Sequence, residues 1–202
     1  MGLLVYMYLR KKYKYIISFI LIIIGISLII YKLYIRYEKN KIEIMLLDNY
    51  FKNNTTKKEL KINNEEKYEL ALEIPKINLK KGLYNINSKK NNVNSNIQII
   101  EESDMPDIVD GNLILASHSG NGKTAYFKNL YKLELNDTTI VHYNNKKYIY
   151  GVINKYEIDK IGKANIIREA NKNILTLITC NQKDKSKQLV IISELLLIEE
   201  VI

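Results

Sequence analysis

The chain has 202 residues, with 31 Lys+Arg against 22 Asp+Glu for a net charge of +9, and only two His, two Pro and one Cys. A single cysteine excludes an intramolecular disulfide framework and any CxxC metal or redox motif, and with two histidines an all-protein zinc site lacks ligands. A charge of +9 points first to nucleic acid or to an anionic membrane, and its distribution decides between them.

Residues 1–41 hold eight basic residues against Glu38 alone, a net +7, whereas the remaining 161 hold 23 basic and 21 acidic residues. The excess therefore flanks the N-terminus, the rest is balanced, and no nucleic-acid partner is expected. Between the basic clusters lies Tyr15–Tyr31, 17 residues without a charge, which Leu33, Tyr34 and Ile35 extend. About 17–25 apolar residues cross a bilayer, and Tyr13, Tyr15, Tyr31 and Tyr34 stand where interfacial aromatic belts form. Residues 15–35 read as a transmembrane anchor after a basic segment, 1–14. A cleaved signal peptide has a shorter apolar stretch of about 7–15 residues and a small-residue cleavage site, and neither is present. Arg10, Lys11, Lys12 and Lys14 have no acid among them, which favours a cytoplasmic N-terminus and an extracellular C-terminal domain.

Residues 36–69, rich in Asn, Lys and Glu, read as a stalk that is partly helical over 42–51. From there to residue 202 short β-rich runs alternate with polar turns. Strands are expected at 70–74, 82–84, 97–100, 112–117, 139–142, 147–157, 174–180 and 188–197, with one helical segment at 124–130. Asn144-Asn145 fits a tight turn, because Asn tolerates positive φ. Many short strands at regular spacing imply an all-β barrel or sandwich. The apolar stretches 113–116, 174–178 and 189–192 suit central strands buried on both faces.

Cys180 ends one strand-like run and His118 another. An isolated cysteine is often a small buried hydrophobe. A cysteine nucleophile instead needs an ionisable neighbour, and two strand-end residues can meet at a barrel rim. His142 reads as a polar strand-end residue.

The run Thr176-Leu-Ile-Thr-Cys180 resembles the TLxTC motif of the sortases, Gram-positive cell-surface cysteine transpeptidases. Gly111-Asn-Leu-Ile-Leu-Ala-Ser-His118 is similar to their segment around the catalytic histidine, Leu72-Glu-Ile-Pro75-Lys-Ile to their IPKI-type first strand, and Tyr126-Phe-Lys-Asn-Leu130 to the turn after the histidine. The matches fall in family order over residues 70–197. The resemblance implies an eight-stranded sortase-type β-barrel with short helices behind an N-terminal transmembrane helix. It also implies that Cys180 attacks an LPxTG-like sorting signal of a secreted surface protein, with His118 as proton donor. The thioester formed would pass to an amine acceptor of the cell wall or to a pilin lysine.

The family completes its site with an arginine on the strand after the cysteine. The chain's only arginines are Arg10, Arg36 and Arg168. The position falls to Lys187 or Gln188, depending on a one-residue register, and adjacent strand residues face opposite ways. Lys keeps the charge as a point donor without the bidentate fork, and Gln offers a neutral amide. Arg168, from the preceding loop, reads as a solvated charge or as a residue that reaches in. Ser117 and Thr179 are expected near the substrate. Ile166 and Ile167 either cover a substrate side chain or pin their loop to the barrel. No cofactor is expected: some relatives use calcium, but Glu101, Glu102, Asp104, Asp107 and Asp110 lack the D-x-D-x-D-G spacing of a loop site. With no C-terminal membrane segment before Ile202, a class D-like member is the expectation. The alternatives to a transpeptidase are a weakly catalytic binding or assembly factor on the same barrel, which the missing arginine supports, and a peptidase transferring to water.

Overall fold

The computed structural model describes residues 2–53, 67–161 and 171–201, with side chains from Tyr13 onward except that of Lys14. It forms two compact units, Met1–Met45 and Leu46–Ile202. The first is helical, part of helix α1 (Gly2–Asn53). Isoleucines, leucines and Phe19 between Ile16 and Ile30 are exposed on every side of it. A helix apolar all round belongs in a protein core or in lipid, and these side chains have no core. Among the described residues this is the one helix long and apolar enough to cross a membrane.

The second unit is one eight-stranded sheet: β1 (Tyr68–Ile74), β2 (Leu79–Tyr84), β3 (Gln98–Ile99), β4 (Asn112–Ala116), β5 (Thr138–Tyr143), β6 (Lys146–Asp159), β7 (Ile174–Cys180) and β8 (Lys187–Glu200). The order is β2-β1-β5-β6-β8-β7-β4-β3. Its two edges approach where Asn96 Nδ2 donates to the Gly82 carbonyl at 2.8 Å, giving a nearly closed barrel. Every expected strand is present; β1, β2, β5, β6 and β8 run longer than expected, and β3 and β4 are shorter. Asn144 and Asn145 take φ of 47° and 60° in the β5–β6 turn, so the asparagines supply the left-handed backbone that the hairpin demands. The interior is filled by alternate residues, among them Leu70, Leu72, Leu113, Leu115, Leu175, Leu177, Leu189 and Ile191.

Two expectations change. Residues 124–130 form no α-helix: Lys128→Ala125, Leu130→Phe127 and Lys132→Asn129 backbone bonds of the i→i−3 type make a chain of turns ending in a 3₁₀ helix, Leu130–Lys132. The expected stalk also gives part of itself to the domain. Leu46, Leu47, Tyr50 and Phe51 lie on one helical face and pack on Tyr68, Ala71 and Tyr84, and the Tyr50 hydroxyl donates to the His142 carbonyl at 2.8 Å. Residues 54–66 lie outside the described residues.

His142 is a structural residue of that seam. Its ring meets Phe51 edge-on at 5.0 Å, and Nε2 lies 3.3 Å from Glu73 Oε2. Burial holds the imidazole below its ordinary value of 6.5, more strongly than Glu73 raises it. The unfolded chain therefore takes up this proton at a higher pH than the folded one. His142 costs no stability above pH about 6.5 and progressively more as the pH falls below it. Thermal melts of the full chain in detergent should show a midpoint that drops from pH about 7 to 5, and His142→Gln should flatten that drop. A wild-type midpoint independent of pH across this range would contradict the assignment.

Candidate active site

The site follows from one pairing. β4 and β7 are parallel neighbours, so both end at the same rim, in a register that sets Leu115 against Leu177 and Ala116 against Ile178. Extended by two residues, that register would set position 118 level with position 180. Hydrogen bonds continue the pairing past the end of β4. Ser117 N donates to the Ile178 carbonyl at 3.2 Å, Thr179 Oγ1 to the Ser117 carbonyl at 2.7 Å, and Ser119 Oγ to the Cys180 carbonyl at 2.5 Å. Gln182 Nε2 then donates to the carbonyls of Ser119 and Lys128. These bonds clasp the loop carrying His118 to the strand end carrying Cys180. Phe127, fully buried, donates its N–H to the His118 carbonyl at 3.1 Å and anchors the loop from the other side.

Cys180 is a half-buried free thiol. His118 is half-buried too, and its Nε2 lies 3.2 Å from Asn94 Oδ1 on the β2–β3 loop. Strand pairing separates the two expected donors. Gln188 stands directly across from Cys180 and therefore shares its face of the sheet, together with Val190 and Ile158. Lys187 pairs with Asp159 on the other face, where its ammonium lies 3.8 Å from Glu157.

A cavity of about 370 Å³ opens at this rim, between the inward-facing Thr179 and Leu189, the aromatic rings of Phe127 and Tyr131, and the Ser119 and Cys180–Lys183 loops. Cys180 thus stands between this cavity and the face that carries Gln188. Lys155, at the cavity's edge, donates to the carbonyls of Tyr131 and Leu133 at 2.6 and 2.9 Å and ties the 3₁₀ turn down.

Ser117 and Thr179 are buried, and both hydroxyls are given to the protein's own carbonyls, those of Thr124 and Ser117. Ile166, Ile167 and Arg168 lie outside the described residues. In the acidic run, Asp104 accepts the Asn112 N–H at 3.0 Å. Among the described residues no three His, Cys, Asp or Glu side chains are placed to hold a metal ion. Sequence reasoning passes over Asn94, Ser119 and Gln182: an asparagine-rich run and polar residues after a strand read as loop, and only the folded clasp reveals them.

The family model described as the Sortase domain matches residues 72–196. No curated protein matches the chain. Among solved structures it is similar to a sortase D5 transpeptidase of Clostridium perfringens (TM-score 0.60, 17% identity, 77% of this chain and 99% of that one). It is also similar to sortase C1 of Streptococcus agalactiae (0.58, 22%, 78% and 90%) and to sortase A of Listeria monocytogenes (0.56, 19%, 67% and 91%). At these identities the structural likeness speaks for the fold.

Proposed function

The chain belongs to the sortase family of cysteine transpeptidases that act on surface proteins, and from that membership we propose how its own residues carry the reaction. Cys180 is the nucleophile and His118 the acid–base residue. The observation that supports this most directly is the β4–β7 register, which ends both residues at one rim. The Cys180 thiolate attacks the Thr carbonyl carbon of an LPxTG-like sorting signal, and a C–S bond forms as the carbonyl π pair moves to oxygen. When the tetrahedral species collapses, the Thr–Gly C–N bond breaks, and His118 gives its proton to the departing amine. An acceptor amine from the cell wall or a pilin then attacks the thioester, passes a proton to His118 and releases Cys180.

Developing negative charge on the carbonyl oxygen calls for a donor. Gln188 is assigned that role, because it shares the face of Cys180, whereas Lys187 turns toward Glu157 and Asp159. The substrate's acyl part lies along the face of Cys180 and Gln188, with Ile166 and Ile167 as candidate cover. No cofactor enters these steps.

The apolar helix is proposed as a membrane anchor with its basic N-terminus inside and the barrel outside. Sharing a bilayer with substrates that carry their own membrane segment raises the effective concentration of both. The reaction is tested by supplying the detergent-solubilised full chain with an LPxTG-type peptide, with and without oligoglycine. A ligated product supports a transpeptidase, and cleavage alone a peptidase. A neutral Gln where the family has an arginine favours a second reading, a weakly catalytic binding factor, for which peptide binds and no covalent species forms.

A further inference from the structure

The asparagine-rich segment 91–96 looks like filler in sequence, yet in the barrel its side chains form a framework. Asn91 Nδ2 donates to the carbonyls of Ile86 and Ile99 at 3.0 and 2.9 Å, and its Oδ1 accepts the Ile99 N–H at 2.7 Å. That triple contact pins the loop to the short strand β3. Asn92 Nδ2 donates to the Lys89 carbonyl at 2.7 Å, and its Oδ1 accepts the Asn94 N–H at 3.1 Å. The Asn92 carbonyl accepts the N–H groups of Ser95 and Asn96. Asn96, almost fully buried, closes the loop onto β2 through Gly82. The residue this framework holds out is Asn94, whose Oδ1 lies 3.2 Å from His118 Nε2.

We propose that Asn94 is the positioning residue of His118: its carboxamide oxygen accepts the Nε2 proton and fixes the orientation of the ring. The proposal rests on His118 as the acid–base residue. A carbonyl oxygen is an acceptor only, so it selects the tautomer with hydrogen on Nε2. Nδ1 is then the nitrogen left to exchange a proton with Cys180 and the substrate amines. An imidazole that both gives and takes a proton in one turnover gains from an orienter that stays bonded in both protonation states. A neutral carboxamide does this without adding a charge beside the thiol. The segment thus joins β2 and β3, the two edges of the barrel, to the chemistry at the end of β4 and β7.

The test needs no substrate for its first part. With two histidines in the chain, histidine-selective ¹⁵N labelling of the full protein in detergent gives two resolvable imidazoles, and the ring ¹⁵N shifts report the tautomer of each. In the neutral ring we expect the Nε2–H tautomer alone in the wild type and in Asn94→Asp, and a mixture of tautomers in Asn94→Ala. In peptide turnover, Asn94→Ala should lower kcat about threefold to tenfold, the effect of one exposed hydrogen bond, with KM unchanged, and Asn94→Asp should restore most of kcat. His118 tautomers and kcat unaltered in Asn94→Ala, or a wild-type His118 with a bare Nε2, would overturn the proposal. Tautomers that shift as expected in a protein that turns over no peptide would uphold the contact and overturn the transpeptidase reading instead.

Discussion

Cys180→Ala in the full-length chain is expected to reduce transpeptidation by about 10⁴-fold or more, and His118→Ala by about 10²–10⁴-fold. The first figure follows from losing the covalent route altogether, because residues that act as one catalytic unit are worth far more than their single contacts. The second is the usual contribution of a positioned acid–base group. Neither substitution should unfold the barrel. Cys180 and His118 sit half-buried beyond the core cluster, while the clasp around them uses backbone carbonyls and the side chains of Ser119, Thr179 and Gln182. Peptide cleavage assays with matched thermal melts separate lost chemistry from lost fold. Activity near wild type in Cys180→Ala would remove the nucleophile from the account.

The second large effect is expected at Gln188. If its amide donates to the oxyanion, Gln188→Ala should lower kcat/KM by about 10²-fold or more, the scale seen on removing one such donor. Lys187→Ala should stay within about threefold, because the Lys187 ammonium is spent on an exposed ion pair with Glu157, and such pairs contribute little. The reverse substitution is equally informative. Gln188→Arg places a charged, forked donor on the face of Cys180, and charge-assisted hydrogen bonds are roughly twice as strong as neutral ones. We expect it to raise kcat/KM about tenfold, and a drop on introducing arginine would count against this site geometry. Equal, small losses at Lys187 and Gln188 would mean that a backbone N–H supplies the donor.

What could be read from the sequence followed from periodicity and from residues with one dominant backbone role. The apolar runs 113–116, 174–178 and 189–192 became the buried stretches of β4, β7 and β8, and Asn144-Asn145 became the turn. The choice between Lys187 and Gln188 turns on a one-residue register, and only the folded pairing shows that Gln188 is the one opposite Cys180. The segment 124–130 misled because its helix-like composition is folded by i→i−3 bonds, with the Phe127 N–H bonded to the distant His118 carbonyl. Residues 46–51 misled differently. Their apolar face at i, i+1, i+4 and i+5 is short and set among charged residues, and its partner, the outer face of β1 and β2, lies beyond a polar stretch. Asn94 was hidden for a third reason. Nothing in a run of asparagines tells a solvated loop from one whose side chains are all engaged.

The proposed reaction requires a thioester on the chain's single thiol. Intact-mass spectrometry of the full-length protein in detergent, incubated with an LPxTG-type peptide, tests it directly. A mass gain equal to the peptide up to its Thr is expected, removed by hydroxylamine and absent in Cys180→Ala. Peptide bound without any covalent gain, across pH about 6–8, would contradict it.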